Sequence, residues 1–166
     1  MKYLITLCVL ALGWVPSTFA TVIYVDVDAT GNNDGSSWEN AYDNITNALN
    51  VATDGDELWV ARGTYYPADT DNPNLVFWLP CGVSMYGGFA GNETERIERN
   101  WNVNPTILSG EIGDENDLTD NSNGMIYVSG FCGSDIKISG FTISDCYSED
   151  FGMSMDNLLW DRIVRT

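Results

Sequence analysis

Short β-branched and aromatic runs recur along this chain, each closed by glycine, and that spacing limits the folds open to it. The runs are Leu58-Trp59-Val60, Val83-Ser84-Met85-Tyr86, Thr106-Ile107-Leu108, Met125-Ile126-Tyr127-Val128 and Ile136-Lys137-Ile138. The first four start 19 to 25 residues apart. One short strand set per such period predicts a solenoid and not a sandwich, because each period adds one supersecondary unit that must stack on its neighbour. Glycine follows most of these runs, at Gly63, Gly87-Gly88, Gly110, Gly130 and Gly140. A coil turning its corners there needs backbone conformations that a Cβ would oppose. The expected fold class is an all-β solenoid.

Ahead of these runs the pattern differs. Val22-Ile23-Tyr24-Val25-Asp26-Val27-Asp28 reads as a strand, and Gly31-Asn32-Asn33-Asp34-Gly35 ends it with turn residues. Ser36-Ser37-Trp38-Glu39 matches a capping box, with Glu three positions after a Ser hydroxyl. Ala41, Ile45, Ala48, Leu49 and Ala52 fall on one helical face, so a helix is expected over residues 39–52, stopping at Thr53-Asp54-Gly55-Asp56. A solenoid end left bare would expose unpaired backbone groups and an open core. The helix is expected to cap that end, with Trp38 and Trp59 packed beneath it.

The first residues place the chain outside the cytoplasm. Lys2 precedes an apolar run from Leu4 to Val15, and Thr18-Phe19-Ala20 offers small residues at a cleavage position. That is the anatomy of a secretory signal peptide over residues 1–20, and the run is too short to span a bilayer. No other stretch is apolar enough for a membrane span. Removal of residues 1–20 leaves about 146 residues, one domain by length. The full chain has 7 basic and 24 acidic residues and a net charge of −17; losing Lys2 makes it −18. Such a surface repels phosphate backbones, which excludes nucleic acid as a partner. The chain has no histidine, so Ser-His and Cys-His catalysis has no base to use. Cys81, Cys132 and Cys146 allow one intramolecular disulfide at most, and their pairing is open between a bridge and buried thiols.

Three stretches together resemble the bacterial secreted right-handed parallel β-helix proteins of pectin-lyase-like fold. The first is Tyr24-Val25-Asp26 with Gly31, Asp34-Gly35, Ser37-Trp38 and Ala41. The second is Gly55-Asp56-Glu57-Leu58-Trp59-Val60-Ala61-Arg62-Gly63-Thr64-Tyr65. The third runs from Tyr86-Gly87-Gly88-Phe89 through Asn92-Glu93-Thr94, Arg96, Arg99 and Trp101 to Asn104-Pro105-Thr106-Ile107-Leu108-Ser109-Gly110. The resemblance implies a right-handed parallel β-helix with an N-terminal capping helix, similar to surface proteins of the polymorphic outer-membrane kind. It divides the chain into a signal peptide (residues 1–20), strand and capping helix (21–56), β-helix rungs (57–146) and a non-repeat tail (147–166). Met155, Leu158, Leu159 and Ile163 in that tail have helical spacing. The tail reads either as a short cap or as the ending of a truncated gene, and truncation is the favoured reading.

The same resemblance brings polysaccharide lyases and hydrolases into view, since fold narrows shape better than chemistry. A lyase of this fold would need clustered carboxylates for Ca²⁺ and a Lys or Arg base. The mature chain offers Arg62, Arg96, Arg99, Lys137, Arg162 and Arg165. Arg96 and Arg99 are expected to pair with Glu93, Glu95 or Glu98, and Lys137 to face water. No catalytic, cofactor-binding or metal-binding residue is assigned. The two places where oxygen ligands for Ca²⁺ gather are the loop from Asp26 to Gly31 and the loop from Asp114 to Asn121, and neither has a complete ligand pattern. Tyr65-Tyr66-Pro67 and Trp78 are candidates for an aromatic sugar platform, against the commoner alternative of packed aromatics. Asn44-Ile45-Thr46 and Asn92-Glu93-Thr94 are glycosylation sequons in a glycosylating host. The expectation is a non-catalytic secreted or cell-surface module, structural or adhesive, with polysaccharide or cell-surface components as partners. The rival expectation is the N-terminal part of a carbohydrate-active enzyme.

Overall fold

Alternation along each short run decides which side chains turn inward. The computed structural model describes residues 20–67, 74, 76–114, 117, 119–128, 135–147, 158–161 and 164–165. In β1 (Val22–Val25), Ile23 and Val25 are buried in the main core while Val22 and Tyr24 take the other face. β2 (Glu57–Ala61) repeats this, with Leu58 and Val60 inward and Trp59 on the opposite face. β5 (Ser84–Phe89), β8 (Ile136–Ser139) and β10 (Leu158–Asp161) complete one five-stranded sheet in the order β1-β2-β5-β8-β10.

A second sheet stacks β3 (Gly63–Tyr65), β6 (Thr106–Ser109), β9 (Phe141–Ser144) and β11 (Val164–Arg165) in that order. A third pairs β4 (Phe77–Leu79) with β7 (Ile126–Val128). Every pairing of these strands is parallel. Parallel neighbours cannot be joined by a tight hairpin, so the chain must leave each sheet before returning to it. It does so in a fixed order. β2, β3 and β4 each lie in a different sheet, β5, β6 and β7 return to those sheets in the same sequence, and β8 and β9 follow.

The registers put like side chains in line. Ile23, Leu58, Met85 and Ile138 are consecutive partners across the first sheet, and all are buried. Tyr65, Leu108 and Ile143 form the equivalent row in the second. In the third, Phe77 sits beside Ile126 and Leu79 beside Val128. The three rows meet in a single apolar cluster. Glycine is needed where backbones touch, at the corner after β8 and at the register shift within β5. Gly140 has φ +84°, and a Cβ there would lie 2.6 Å from the Gly87 carbonyl oxygen. Gly88, at φ +95°, would meet the Trp101 backbone at 2.8 Å.

Among the described residues there is one α-helix, α1 (Ile45–Val51), shorter than the expected span of residues 39–52. Asn44 is its N-cap, accepting from the Asn47 N–H at 2.8 Å. Ser36 and Glu39 do not cap it. The reason lies in β1: Tyr42 donates its N–H to the Tyr24 carbonyl and accepts from Asp26, both at 2.9 Å. Extended backbone at Tyr42 is therefore tied to the outer side of β1, and the helix starts only after it. Ile45, Ala48 and Leu49 face the core, and α1 packs against β4, β1 and β2.

Trp38 and Trp59 do not lie beneath this helix. They belong to a second cluster with Val22, Tyr24, Tyr86 and Phe89 on the outward face of the first sheet. Strand alternation forces this, since Trp59 lies between the inward-facing Leu58 and Val60. The tail also departs from its helical spacing: β10 continues the register of β8, Leu158 beside Ile136, and β11 that of β9. Open hydrogen-bonding edges on β8 and β9 outweigh a weak local periodicity. Cys81 is disulfide-bonded, and Cys146 keeps a thiol that donates to the Ser144 carbonyl at 3.6 Å. Cys132 lies outside the described residues.

Leu108, fully buried at the middle of its row, sets the stability test. Leu108→Ala is expected to cost about 2–5 kcal/mol, read as a lower urea midpoint with unchanged slope. Ile97→Ser, at a position 86% exposed, is expected to change stability by less than about 0.5 kcal/mol.

Candidate functional site

Two rows of aromatic side chains face outward, and their surroundings separate a structural row from a candidate binding surface. On the first sheet Tyr24, Trp59, Tyr86 and Ser139 are successive partners. Trp59 and Tyr86 are nevertheless buried. Trp59 stacks on Phe89 with centroids 4.9 Å apart and planes 11° from parallel, and Trp38 covers Tyr24 edge-on at 4.8 Å. The Trp38 indole N–H donates to the Glu93 carbonyl at 2.9 Å, holding the cover in place.

The loop after β5 supplies the rest of that cover. Arg96 lies 4.4 Å above the Tyr86 ring and pairs with Glu57, whose other oxygen accepts from the Trp59 indole at 2.9 Å. Arg99 stacks between Tyr86 and Trp101. Its guanidinium donates to the Gly87 and Ser139 carbonyls at 3.2 Å and to the Ser139 hydroxyl at 3.1 Å. The expected pairing of these arginines with Glu93, Glu95 or Glu98 is not what forms. Glu93 and Glu98 are engaged by backbone instead: Glu93 accepts from Ala90, Gly91 and Asn92, and Glu98 from Thr94 and Glu95. Local N–H groups reach a carboxylate at less entropic cost than a long side chain must lose to do so.

The other candidate bases are dispersed. Lys137 faces water on β8, as its strand alternation predicts. Arg62 is exposed and donates its backbone N–H to the Phe89 carbonyl at 2.8 Å. Arg165 lies on β11, and Arg162 falls outside the described residues.

Both acidic loops close on their own hydrogen bonds. Asp26 accepts from the Asp28 N–H at 3.0 Å, and its carboxyl is pushed above its usual range, chiefly by burial. In the second loop Asp120 accepts from the Asp114 N–H at 3.0 Å. Asp117 accepts the Thr119 hydroxyl at 2.6 Å, which lowers its pKa. Glu115, Asn116 and Leu118 lie outside the described residues. Among the described residues no group of three or more Cys, Asp and Glu side chains converges to hold a metal ion.

The third sheet presents its aromatics to solvent. Trp78 and Tyr127 are register partners on β4 and β7, with centroids 4.5 Å apart and rings inclined by 54°. They are 57% and 42% exposed. Each is held by buried residues on both sides: Phe77 and Leu79 on β4, Ile126 and Val128 on β7. Asn74 and Asn123 precede the two strands at matching positions, and the Asn123 amide donates to the Asn74 oxygen at 3.4 Å. Paired, exposed aromatic faces suit a ligand with apolar C–H faces.

Of the aromatic residues expected to form a platform, Trp78 and Tyr66 are exposed. Tyr65 is buried, donating its hydroxyl to the Ala61 carbonyl at 3.1 Å and accepting from Val27, and burial pushes its pKa up. Pro67 is buried too, its carbonyl accepting from the Thr46 hydroxyl at 2.7 Å. Tyr127 is the residue that sequence reasoning missed. The signal was present in the matching alternation of Phe77-Trp78-Leu79 and Ile126-Tyr127-Val128. Of the sequon residues, Asn44 is engaged as the helix cap and Asn92 is exposed.

Among the described residues no helix is long and apolar enough to cross a membrane. No protein-family model, curated protein or solved structure matches the chain.

The Glu98 cap predicts an acid-side effect. Backbone N–H groups of Glu95 and Thr94 hold its carboxyl below the usual range. With the folded pKa depressed, the stabilisation is complete above the unfolded value and is lost as pH falls through the folded one. Glu98→Gln is therefore expected to flatten the fall of Tm between about pH 5 and about pH 2, followed by thermal melts across that range.

Proposed function

We propose that this chain is a non-catalytic secreted or cell-surface module, structural or adhesive, that docks carbohydrate on the Trp78–Tyr127 face. Its fold on this reading is a right-handed parallel β-helix with α1 at the N-terminal end. The three sheets entered in repeating order support the solenoid, and the strong right-handed preference of parallel crossovers supports its hand. The exposed, register-paired aromatics carry the binding reading. Residues 1–20 act as the export signal.

Charge selects among glycans. A processed chain of net charge −18, the full chain's −17 less Lys2, repels polyuronates and sulfated polymers, so neutral polysaccharide is the favoured class. Rigid display is the second part of the mechanism. Successive rungs about 4.8 Å apart fix Trp78 and Tyr127 without any loop having to order on binding, which keeps the entropic cost of docking low.

Affinity electrophoresis through gels holding soluble neutral polysaccharides tests this. The expected result is retardation of the native chain, weakened about threefold to tenfold by Trp78→Ala or Tyr127→Ala, consistent with one lost aromatic contact. Equal retardation of the double variant would remove the binding site from this face. New reducing ends, or unsaturated-uronate absorbance when acidic polysaccharide is supplied, would overturn the non-catalytic reading and favour the N-terminal part of a carbohydrate-active enzyme.

A further inference from the structure

Asp56 is a buried carboxylate, 7% exposed, at the turn that leads into β2. One oxygen accepts from the Thr53 N–H at 2.8 Å and from the Thr53 hydroxyl at 3.0 Å. The other accepts from the backbone N–H of Thr21 at 2.9 Å. Each of these three donors is neutral. The neighbours Asp54 and Glu57 are acidic, and among the described residues Glu57 forms its ion pair with Arg96. A buried carboxylate held only by neutral donors is stabilised further when one of those donors becomes a cation.

Thr21 is the first residue after the expected cleavage position. Its carbonyl is also held, accepting from the Glu57 N–H at 2.9 Å, and the β1–β2 register begins at the next residue. The nitrogen is thus fixed at Asp56 from both sides, while Ala20 and Thr21 are themselves exposed.

We infer that removal of residues 1–20 turns the Thr21 N–H already bound to Asp56 into an ammonium ion, so that processing installs an ion pair locking β1 onto β2. The inference rests on the secretion reading above. A signal peptidase with water as co-reactant breaks the Ala20–Thr21 amide. Hydroxide adds to the Ala20 carbonyl carbon, one hydrogen goes to the Thr21 nitrogen, and that amine takes a further proton from solvent. The donor that reaches Asp56 then carries the charge the carboxylate lacks, and a charge-assisted bond is roughly twice as strong as a neutral one.

Four chains test it: one beginning at Thr21, released from a tag with a native N-terminus, one retaining Ala20, and each with Asp56→Asn. Urea unfolding is expected to give the Thr21 chain a folded-to-unfolded ratio about tenfold above the Ala20 chain, with no difference in the Asp56→Asn pair. Chemical acetylation of the Thr21 amine, which keeps an N–H but removes its charge, should cost the same tenfold and serves if Asp56→Asn does not fold. Equal stability of the Thr21 and Ala20 chains, or a difference that survives Asp56→Asn, overturns the ion pair. N-terminal sequencing of the exported protein tests the secretion reading separately. A start other than Thr21 defeats processing at this bond, whereas equal stabilities defeat the pair alone.

Discussion

Parallel register is the constraint on which the other features depend. Because Ile23, Leu58, Met85 and Ile138 follow one another as direct partners, each inward side chain lies in line with a like one on the next strand. A slip of one residue would turn every one of them to the outer face. The same register places Tyr24, Trp59 and Tyr86 in a row outside and Trp78 beside Tyr127 on another sheet. Core and candidate site are two faces of a single pairing scheme.

The two outward aromatic rows differ in what lies over them. The row on the first sheet is sealed by Trp38, Arg96 and Arg99. Arg99 also bonds carbonyls at Gly87 and Ser139, on strands β5 and β8, where the ladder between those strands is short. A planar guanidinium can stack and donate in its plane at once, which an ammonium cannot. Over Trp78 and Tyr127 no described residue closes in this way, and their exposure follows. An outward aromatic row thus serves as a second small core in one place and as open surface in another.

The edge of β1 illustrates how the fold begins. Gly35 and Tyr42 occupy its backbone groups, with the Tyr24 N–H donating to Gly35 at 3.0 Å. Asn44 then opens α1, whose apolar face completes the core beside β4. An edge so occupied cannot template pairing with another chain.

Much of this was legible in the sequence. Strand runs at Leu58, Val83, Thr106, Met125 and Ile136 all fall on strands or directly before them, and Ile45, Ala48 and Leu49 were the helical face. Alternation and glycine placement are local properties of the chain, so residue order alone determined these five runs and the presence of a helix, whereas β3, β4 and β9, each only three or four residues long, were not among the runs it marked. What residue order could not decide was pairing between distant segments. Tyr42 was drawn from a helical pattern onto β1, Leu158 onto β8, and Glu98 to backbone in preference to arginine. Trp78 found Tyr127 rather than Tyr65. Those outcomes depend on hydrogen-bonding edges and contacts that exist only once the sheets have assembled, and so tertiary structure alone decided them.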